Sequence, residues 1–188
     1  MQFILDLDHY IFQAVNSLAG KFIWLDWLGV FLAQYLIWVM AVVAFIWWFE
    51  IARTRPSKNW PLLGRKKWLE IGEMFLSIIW SVILNQLIGL FHFRVRPFVE
   101  HDVIQLINAP YGVKSFPSDH TCVAFALALT VWFYNKKLGT FLLAFASLVG
   151  LSRIFVGVHY PLDVIGGIFV GIFSASLIRL LFIKKIKN

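Results

Sequence analysis

The sequence predicts an all-α integral membrane protein: a bundle of five transmembrane helices plus an N-terminal interfacial helix, or six helices if that one is counted. Three observations support this class. Of the 188 residues 60% are hydrophobic and 14% charged, and the mean hydropathy is +0.77. A soluble domain of this size cannot bury so much apolar surface. Apolar runs of membrane-spanning length recur along the chain, separated by polar segments.

The first twenty residues alternate apolar and polar side chains at helical spacing and are too polar to span. We predict an amphipathic helix over 1–20, which either lies in the membrane interface or packs on the bundle. Asp6, Asp8 and His9 stand where a signal peptide would carry cationic residues, so no cleavable signal is predicted.

The spans follow from apolar runs with few or no charges. Pro161 suits the first turn of the last span. Polar segments with Pro and Gly, over 50–67 and 92–117, are predicted as loops. The whole chain, 1–188, is predicted as one membrane-embedded domain with its core at about 68–179. The predicted spans are 27–49, 68–91, 118–135, 138 to about 152, and 161–183.

Lys and Arg are distributed unequally between the two ends of the predicted bundle. Twelve of the seventeen fall in 50–67, in the Lys136-Lys137 pair and in the C-terminal segment. An excess of these residues marks cytoplasmic loops, so the C-terminus is predicted inside the cell. The N-terminus and the ends of the spans that carry Arg96, His120 and Arg153 are predicted outside.

Polar side chains with catalytic character stand at those outer ends. Arg96 follows the second span, and His120 begins the third. Arg153 ends the fourth, and His159 precedes the fifth. Each guanidinium offers a planar fork of donors that matches phosphate oxygens. Adjacent ends of a small bundle must converge, so we predict one site assembled from several helix ends.

The start of the third span adds to this pattern. Ser118 or Asp119 is placed as its N-cap, and the free amides of a helix N-terminus bind phosphate readily. Plain helix capping is the alternative for both. His159 has Asp163 four residues later, so that the carboxylate can orient the imidazole as a nucleophile. His120 is then available as general acid. The alternatives are that Asp163 caps the fifth helix and that Arg153 reaches towards lipid headgroups.

These motifs resemble the three signatures of the type 2 phosphatidic acid phosphatase superfamily. The first is Arg96-Pro97, the second Pro117-Ser118-Asp119-His120, and the third Ser152-Arg153 followed by His159 and Asp163. The resemblance implies a phosphatase without metal or cofactor, acting through a phosphohistidine. It implies His159 as nucleophile, Asp163 as its orienting partner and His120 as acid. The residues implied or considered as phosphate ligands are Arg96, Ser118, Arg153, Asp119, Arg94, Lys114 and Ser152.

The sequence departs from the family at two positions. Asp119 stands where the family usually has Gly, and Gly89 stands seven residues before Arg96, where the first signature has Lys. Arg94, His92 and Lys114 are the candidates to replace that Lys. The string Arg96-Pro97-Phe98-Val99, together with residues 115–121, is most similar to the bacitracin-resistance branch. The members of that branch are undecaprenyl-diphosphate phosphatases, and their first signature similarly departs from the Lys pattern.

This branch implies a function and a place for it. The expected substrate is undecaprenyl diphosphate, cleaved to the monophosphate outside the bacterial cytoplasmic membrane to recycle the lipid carrier for peptidoglycan and cell wall synthesis. Membrane lipids are the expected partners, and nucleic acid is not one. The alternatives are a phosphatase for phosphatidylglycerol phosphate, phosphatidic acid or another lipid phosphate, and a non-hydrolytic lipid transporter.

Overall fold

The computed structural model describes residues 2–54, 60–110 and 114–187, with side chains described outside 51–68 and 184–187. Within these ranges all regular structure is helical, in agreement with the predicted class. The helices are α1 (Gln2–Asn16), α2 (Ile23–Gln34), α3 (Leu36–Thr54), α4 (Trp60–Phe91), α5 (Pro97–Glu100), α6 (Asp119–Tyr134), α7 (Lys136–Phe155) and α8 (Pro161–Lys187).

Helix α6 is the centre of the bundle and packs against α4, α7 and α8. It has 16 residues and is about 24 Å long at 1.5 Å per residue, shorter than a hydrocarbon core of about 30 Å. Gly167 and Gly171 let α8 approach it closely, because an added Cβ would lie 2.7 Å from the Ser118 carbonyl oxygen and 2.5 Å from that of Cys122. This contact holds the start of α6 beside the start of α8.

Three described helical segments are long and apolar enough to cross a membrane: Leu69–Phe91, Lys136–Phe155 and Pro161–Ile183. A fourth span arises if α2 and α3 are counted together. The chain is therefore a multi-pass membrane protein, and the count of five spans stays a prediction.

The first predicted span, 27–49, is not one straight helix. It is a pair of helices, α2 and α3, bent by 51°. The break lies at Tyr35, and the nearby Ala33 carbonyl accepts a hydrogen bond from Arg153 Nη1 at 3.1 Å. In a continuous helix that carbonyl would bind the amide of residue 37. The bend therefore accompanies a contact that a local apolar pattern does not encode.

The predicted basic loop over 50–67 was wrong in extent, because α3 continues to Thr54 and α4 begins at Trp60. Residues 55–59 lie outside the described ranges. Pro61 signalled a loop in the sequence, yet it occupies the first turn of α4, where proline fits a helix without losing a hydrogen bond.

Glu73, Tyr134 and Arg179 join α4, α6 and α8 near the end of the bundle away from His159. The buried Glu73 carboxylate accepts hydrogen bonds from the Tyr134 hydroxyl and, at 3.1 Å, from Arg179 Nη1. These two hydrogen bonds connect α4, α6 and α8 at this end of the bundle. The remaining polar cluster lies where α4 and α7 end and α6 and α8 begin.

Candidate active site

The ends of four helices meet around His159. The charges of Arg153, Asp119 and Arg96 and the ring of His159 all act on His120, the second residue of α6. The structure thus brings both predicted histidines and both predicted arginines close enough to interact electrostatically. Residues from α6, α7 and α8 and from the loop after α4 contribute to it.

His159 is 1% exposed, and one side of its ring is held by the protein. Nδ1 lies 3.6 Å from Asp163 Oδ2 and 3.5 Å from the Ser115 hydroxyl. The first distance is electrostatic contact rather than a tight hydrogen bond. Asp163 Oδ2 also accepts hydrogen bonds from the Ser115 hydroxyl at 2.6 Å and the Tyr160 amide at 2.8 Å. With Nδ1 on this side, Nε2 is the nitrogen available to a substrate.

The surroundings of His159 keep its ring neutral at physiological pH. Burial lowers the pKa of His159 to about 4, and the charges of Arg153 and Arg96 act in the same direction. The contact with Asp163 raises the pKa but does not offset burial. A neutral imidazole has a free lone pair, which is what a nucleophilic nitrogen needs.

Arg96 and Arg153 are both buried, at 6% and 5% exposure. Among the described residues neither forms an ion pair. Arg96 Nε donates to the Lys114 carbonyl at a long 3.4 Å, and Arg153 Nη1 donates to that of Ala33. Arg153 Nε is buried and has no hydrogen-bond partner among the described residues. Buried cations with open donor positions form a site for an anion with several acceptor oxygens.

The start of α6 adds further donors. Ser118 is the N-cap residue and is fully buried, but its side chain makes no capping hydrogen bond. Its hydroxyl oxygen accepts from Thr121 Oγ1 at 3.1 Å, which leaves its own hydrogen free to donate. The first amides of α6 also lack intrahelical acceptors. Ser118 therefore does not cap α6 through its side chain, and phosphate binding by its hydroxyl stays a prediction.

Asp119 and Lys114 form a pair beside α4. Lys114 is 6% exposed, and its Nζ lies 3.2 Å from Asp119 Oδ1 and 2.9 Å from the Pro117 carbonyl oxygen. The Lys114 stem lies against Gly89, where an added Cβ would stand 1.9 Å from Cδ. Gly89 therefore makes room for a lysine that comes from a different segment. Asp119 Oδ1 also accepts hydrogen bonds from the side-chain amides of Asn85 at 2.5 Å and Gln86 at 3.2 Å.

Arg94, His92 and Ser152 have other surroundings. Arg94 donates to Asp163 and to Asp8 through its two terminal nitrogens. The ring of His92 packs edge-on against Phe116, 5.4 Å away. The Ser152 hydroxyl donates to the Val149 carbonyl at 2.7 Å within its own helix. Of Arg94, His92 and Lys114, the last is therefore the best placed to replace the missing lysine. Phosphate binding by each of the predicted ligands stays a prediction.

Two residues of the site were missed from the sequence. Ser115 bonds Asp163 and approaches His159, and its position next to the second signature was the one available signal. Asp8, 3% exposed on α1, bonds Arg94 and the Leu162 amide. Asp8 lies on the buried face of α1, four residues before Phe12 and eight before Asn16. From the sequence, this spacing indicates only that the three side chains share one face of a helix.

Comparison with known proteins points to one family. The model of the PAP2 superfamily matches residues 70–187. The chain is 37% identical over 172 residues to the undecaprenyl-diphosphatase BcrC of Bacillus subtilis, covering 91% of this chain and 82% of that protein. It is 30% identical over 173 residues to a protein of Bacillus licheniformis named bacitracin transport permease protein BcrC, covering 92% and 79%. The crystal structure of Aquifex aeolicus LpxE superposes with a TM-score of 0.69 at 25% identity, covering 92% of this chain and 94% of that one.

Proposed function

Since the chain belongs to the PAP2 superfamily and is a lipid phosphatase, we propose that it hydrolyses undecaprenyl diphosphate to undecaprenyl phosphate and inorganic phosphate. The name of the Bacillus subtilis relative, similar over most of both chains, supports this substrate. The observation that carries the chemistry is a neutral, buried His159 beside two buried guanidinium groups that have no carboxylate partner among the described residues.

In the first step, Nε2 of His159 attacks the terminal phosphorus. A nitrogen–phosphorus bond forms, and the bond from that phosphorus to the bridging oxygen breaks. His120 gives a proton to the bridging oxygen, which leaves on undecaprenyl phosphate. Arg96, Arg153 and the first amides of α6 neutralise the charge on the equatorial oxygens in the transition state.

In the second step, water attacks the phosphohistidine. His120, now neutral, takes a proton from that water, the nitrogen–phosphorus bond breaks, and inorganic phosphate leaves. Asp163 stabilises the imidazolium while the phosphoryl group is attached. Ser115 and the Tyr160 amide keep this carboxylate in place through their hydrogen bonds.

Lys114 provides the ammonium group that the first signature of the family carries in its Lys. Its Nζ reaches the start of α6 from the loop after α5, across the surface of Gly89. Asp119 balances part of its charge in the resting site. A phosphate bound at Ser118 would then meet Lys114 at its edge.

The side of the membrane on which the site lies is inferred from the distribution of Lys and Arg. Lys and Arg are concentrated at the other end of the chain's predicted spans, so we place the site on the outer face of the bacterial cytoplasmic membrane. There the enzyme would recycle the carrier lipid for peptidoglycan synthesis. The resemblance to the bacitracin-resistance branch suggests that the same activity would provide resistance to bacitracin.

The test is phosphate release from undecaprenyl diphosphate by purified protein in detergent. Wild type should release phosphate in the presence of a chelator and be inhibited by vanadate, whereas His159→Ala should reduce turnover to background. The matched control is His92→Ala, because that ring packs edge-on against Phe116 and has no hydrogen-bond partner within the described ranges. A strong preference for phosphatidylglycerol phosphate or phosphatidic acid would refute the proposed substrate. Full activity of His159→Ala would refute the mechanism, and a lack of all hydrolysis would favour the transporter.

A further inference from the structure

The amphipathic N-terminal helix α1 carries a carboxylate that lies inside the protein. Asp8 is 3% exposed, and both of its oxygens are bonded. Oδ2 accepts from Arg94 Nη2 at 2.6 Å, and Oδ1 accepts from the Leu162 amide at 2.8 Å. A buried carboxylate is stable only with such partners. Leu162 lies in the first turn of α8 and immediately precedes Asp163.

Arg94 stands between two carboxylates. Nη2 is on Asp8, and Nη1 lies 3.1 Å from Asp163 Oδ1. The guanidinium carbon also lies 3.9 Å from the centre of the Tyr160 ring, and this stacking is a third contact that orients Arg94. The Arg94 carbonyl accepts from the Ser115 amide at 2.8 Å, which couples this segment to the residue that bonds the other oxygen of Asp163.

On the basis of the proposed function, we infer that Asp8 is a positioning residue for catalysis, which acts on His159 through Arg94 and Asp163. Asp8 binds Nη2 of Arg94, so that only Nη1 of the guanidinium is directed at Asp163 Oδ1. Oδ2 stays on Ser115 and faces His159 Nδ1. Helix α1 thereby forms part of the site although it lies outside residues 70–187, the range matched by the family model.

The charge balance gives the physical reason. When His159 becomes an imidazolium, it needs a full negative charge at Asp163. Arg94 alone would neutralise that charge, and the additional carboxylate of Asp8 offsets Arg94. Without the Asp8 charge, the Arg94 fork can turn onto both oxygens of Asp163, since bidentate pairing is its preferred geometry. Asp163 would then leave Ser115 and turn away from His159.

The experiment compares Asp8→Asn, Arg94→Gln and the double variant with wild type, on whichever lipid phosphate the wild type cleaves best. Asn at position 8 keeps an acceptor for the Leu162 amide and removes only the charge. We expect kcat to fall by about tenfold to a hundredfold, as for other groups that orient a functional ligand, while KM stays near the wild-type value. In the double variant kcat should be no lower than in Arg94→Gln, because Asp8 acts through Arg94.

The matched control is Asp6→Asn on the same helix. Asp6 is exposed, and within the part of the chain that the structure describes its carboxylate accepts only from the Gln2 side chain, at 3.1 Å, so kcat should be unchanged. If Asp8→Asn does not fold, Arg94→Lys decides, because one ammonium cannot bridge both carboxylates. A fall in kcat at constant KM supports the inference. Wild-type kcat in the folded variant, a change in KM alone, or additive effects in the double variant would overturn it.

The same series separates the two proposals. An inactive His159→Ala variant together with full activity of Asp8→Asn removes the role of Asp8 and leaves the proposed function intact. Preference for another lipid phosphate removes the proposed substrate, and the comparison of Asp8 variants remains valid on that lipid.

Discussion

Substitution of Gly89 by Ala tests whether Lys114 replaces the lysine of the family. On helix propensity alone, alanine in the interior of α4 should stabilise the protein by about 1 kcal/mol. The structure predicts a different effect on activity. The new Cβ would lie 1.9 Å from Lys114 Cδ and 2.7 Å from Cε, whereas ordinary contact begins at 3.4 Å. The lysine stem must therefore retreat by about 1.5 Å, and Nζ then leaves the Pro117 carbonyl oxygen, which is 2.9 Å away.

The magnitude follows from the interaction that is lost. The lost bond from Lys114 Nζ to the Pro117 carbonyl outweighs the gain in helix propensity, so we expect the thermal stability of Gly89→Ala to be slightly lower than that of wild type. A hydrogen bond from a charged donor contributes about 1.5 to 3 kcal/mol. If Lys114 contacts the phosphate in the transition state, kcat/KM should fall by about tenfold to about 150-fold.

The assay is phosphate release at subsaturating lipid, with thermal unfolding measured on the same samples. Gly72→Ala is the matched control, since it lies in the same helix and its Cβ would meet no atom within 4 Å. It should gain stability without losing activity. Lys114→Met should reproduce the loss seen in Gly89→Ala, and the double variant should lose no more than either. Wild-type kcat/KM in Gly89→Ala would refute the reasoning.

Two further predictions concern the residues around the phosphate. The pKa of His159 is about 4 in the folded protein and 6.5 when unfolded, so its contribution to stability is complete above pH 6.5 and is lost as the pH falls towards 4. At about 1.4 kcal/mol per pKa unit the loss amounts to about 3 kcal/mol, and His159→Gln should lose less stability than wild type over this range in thermal unfolding. A parallel pH profile for the two proteins would contradict this. Arg153→Lys keeps the charge but not the fork, so vanadate inhibition should weaken by about tenfold or more; unchanged inhibition would exclude a bidentate contact.

The local pattern predicted most helices because apolar runs of spanning length have few alternatives in a membrane. The predicted spans over 118–135 and 161–183 correspond to α6 and α8, and the span from 138 continues to Phe155. The bend at Tyr35 and the helical start of α4 at Trp60 were not predicted. The bend accompanies the hydrogen bond from Arg153 to Ala33, 120 residues away in the sequence. The start of α4 depends on the position of Pro61 in the first turn of that helix, which its neighbours in the sequence do not determine.

Membership of the family was predictable for a similar reason. The spacings within Pro117-Ser118-Asp119-His120 and from Arg153 to His159 and Asp163 are short and are set by helix ends, so they can be read directly along the chain. The family match over 70–187 confirms this prediction. The assignment of each side chain to the phosphate was harder, because Arg94 and Arg96 are two residues apart in sequence and have different partners in the fold.

The order of residues in this chain was enough to predict a helical membrane protein, its family and a group of histidines and arginines at one end of the bundle. These properties depend on hydropathy and on contacts between residues a few positions apart. Packing alone determined that Asp8 meets Arg94, that Lys114 crosses Gly89 and that α2 bends near Arg153. Those contacts join segments from 25 to 120 residues apart. They exist only because folded helices bring distant side chains within bonding distance, and no local periodicity carries that information.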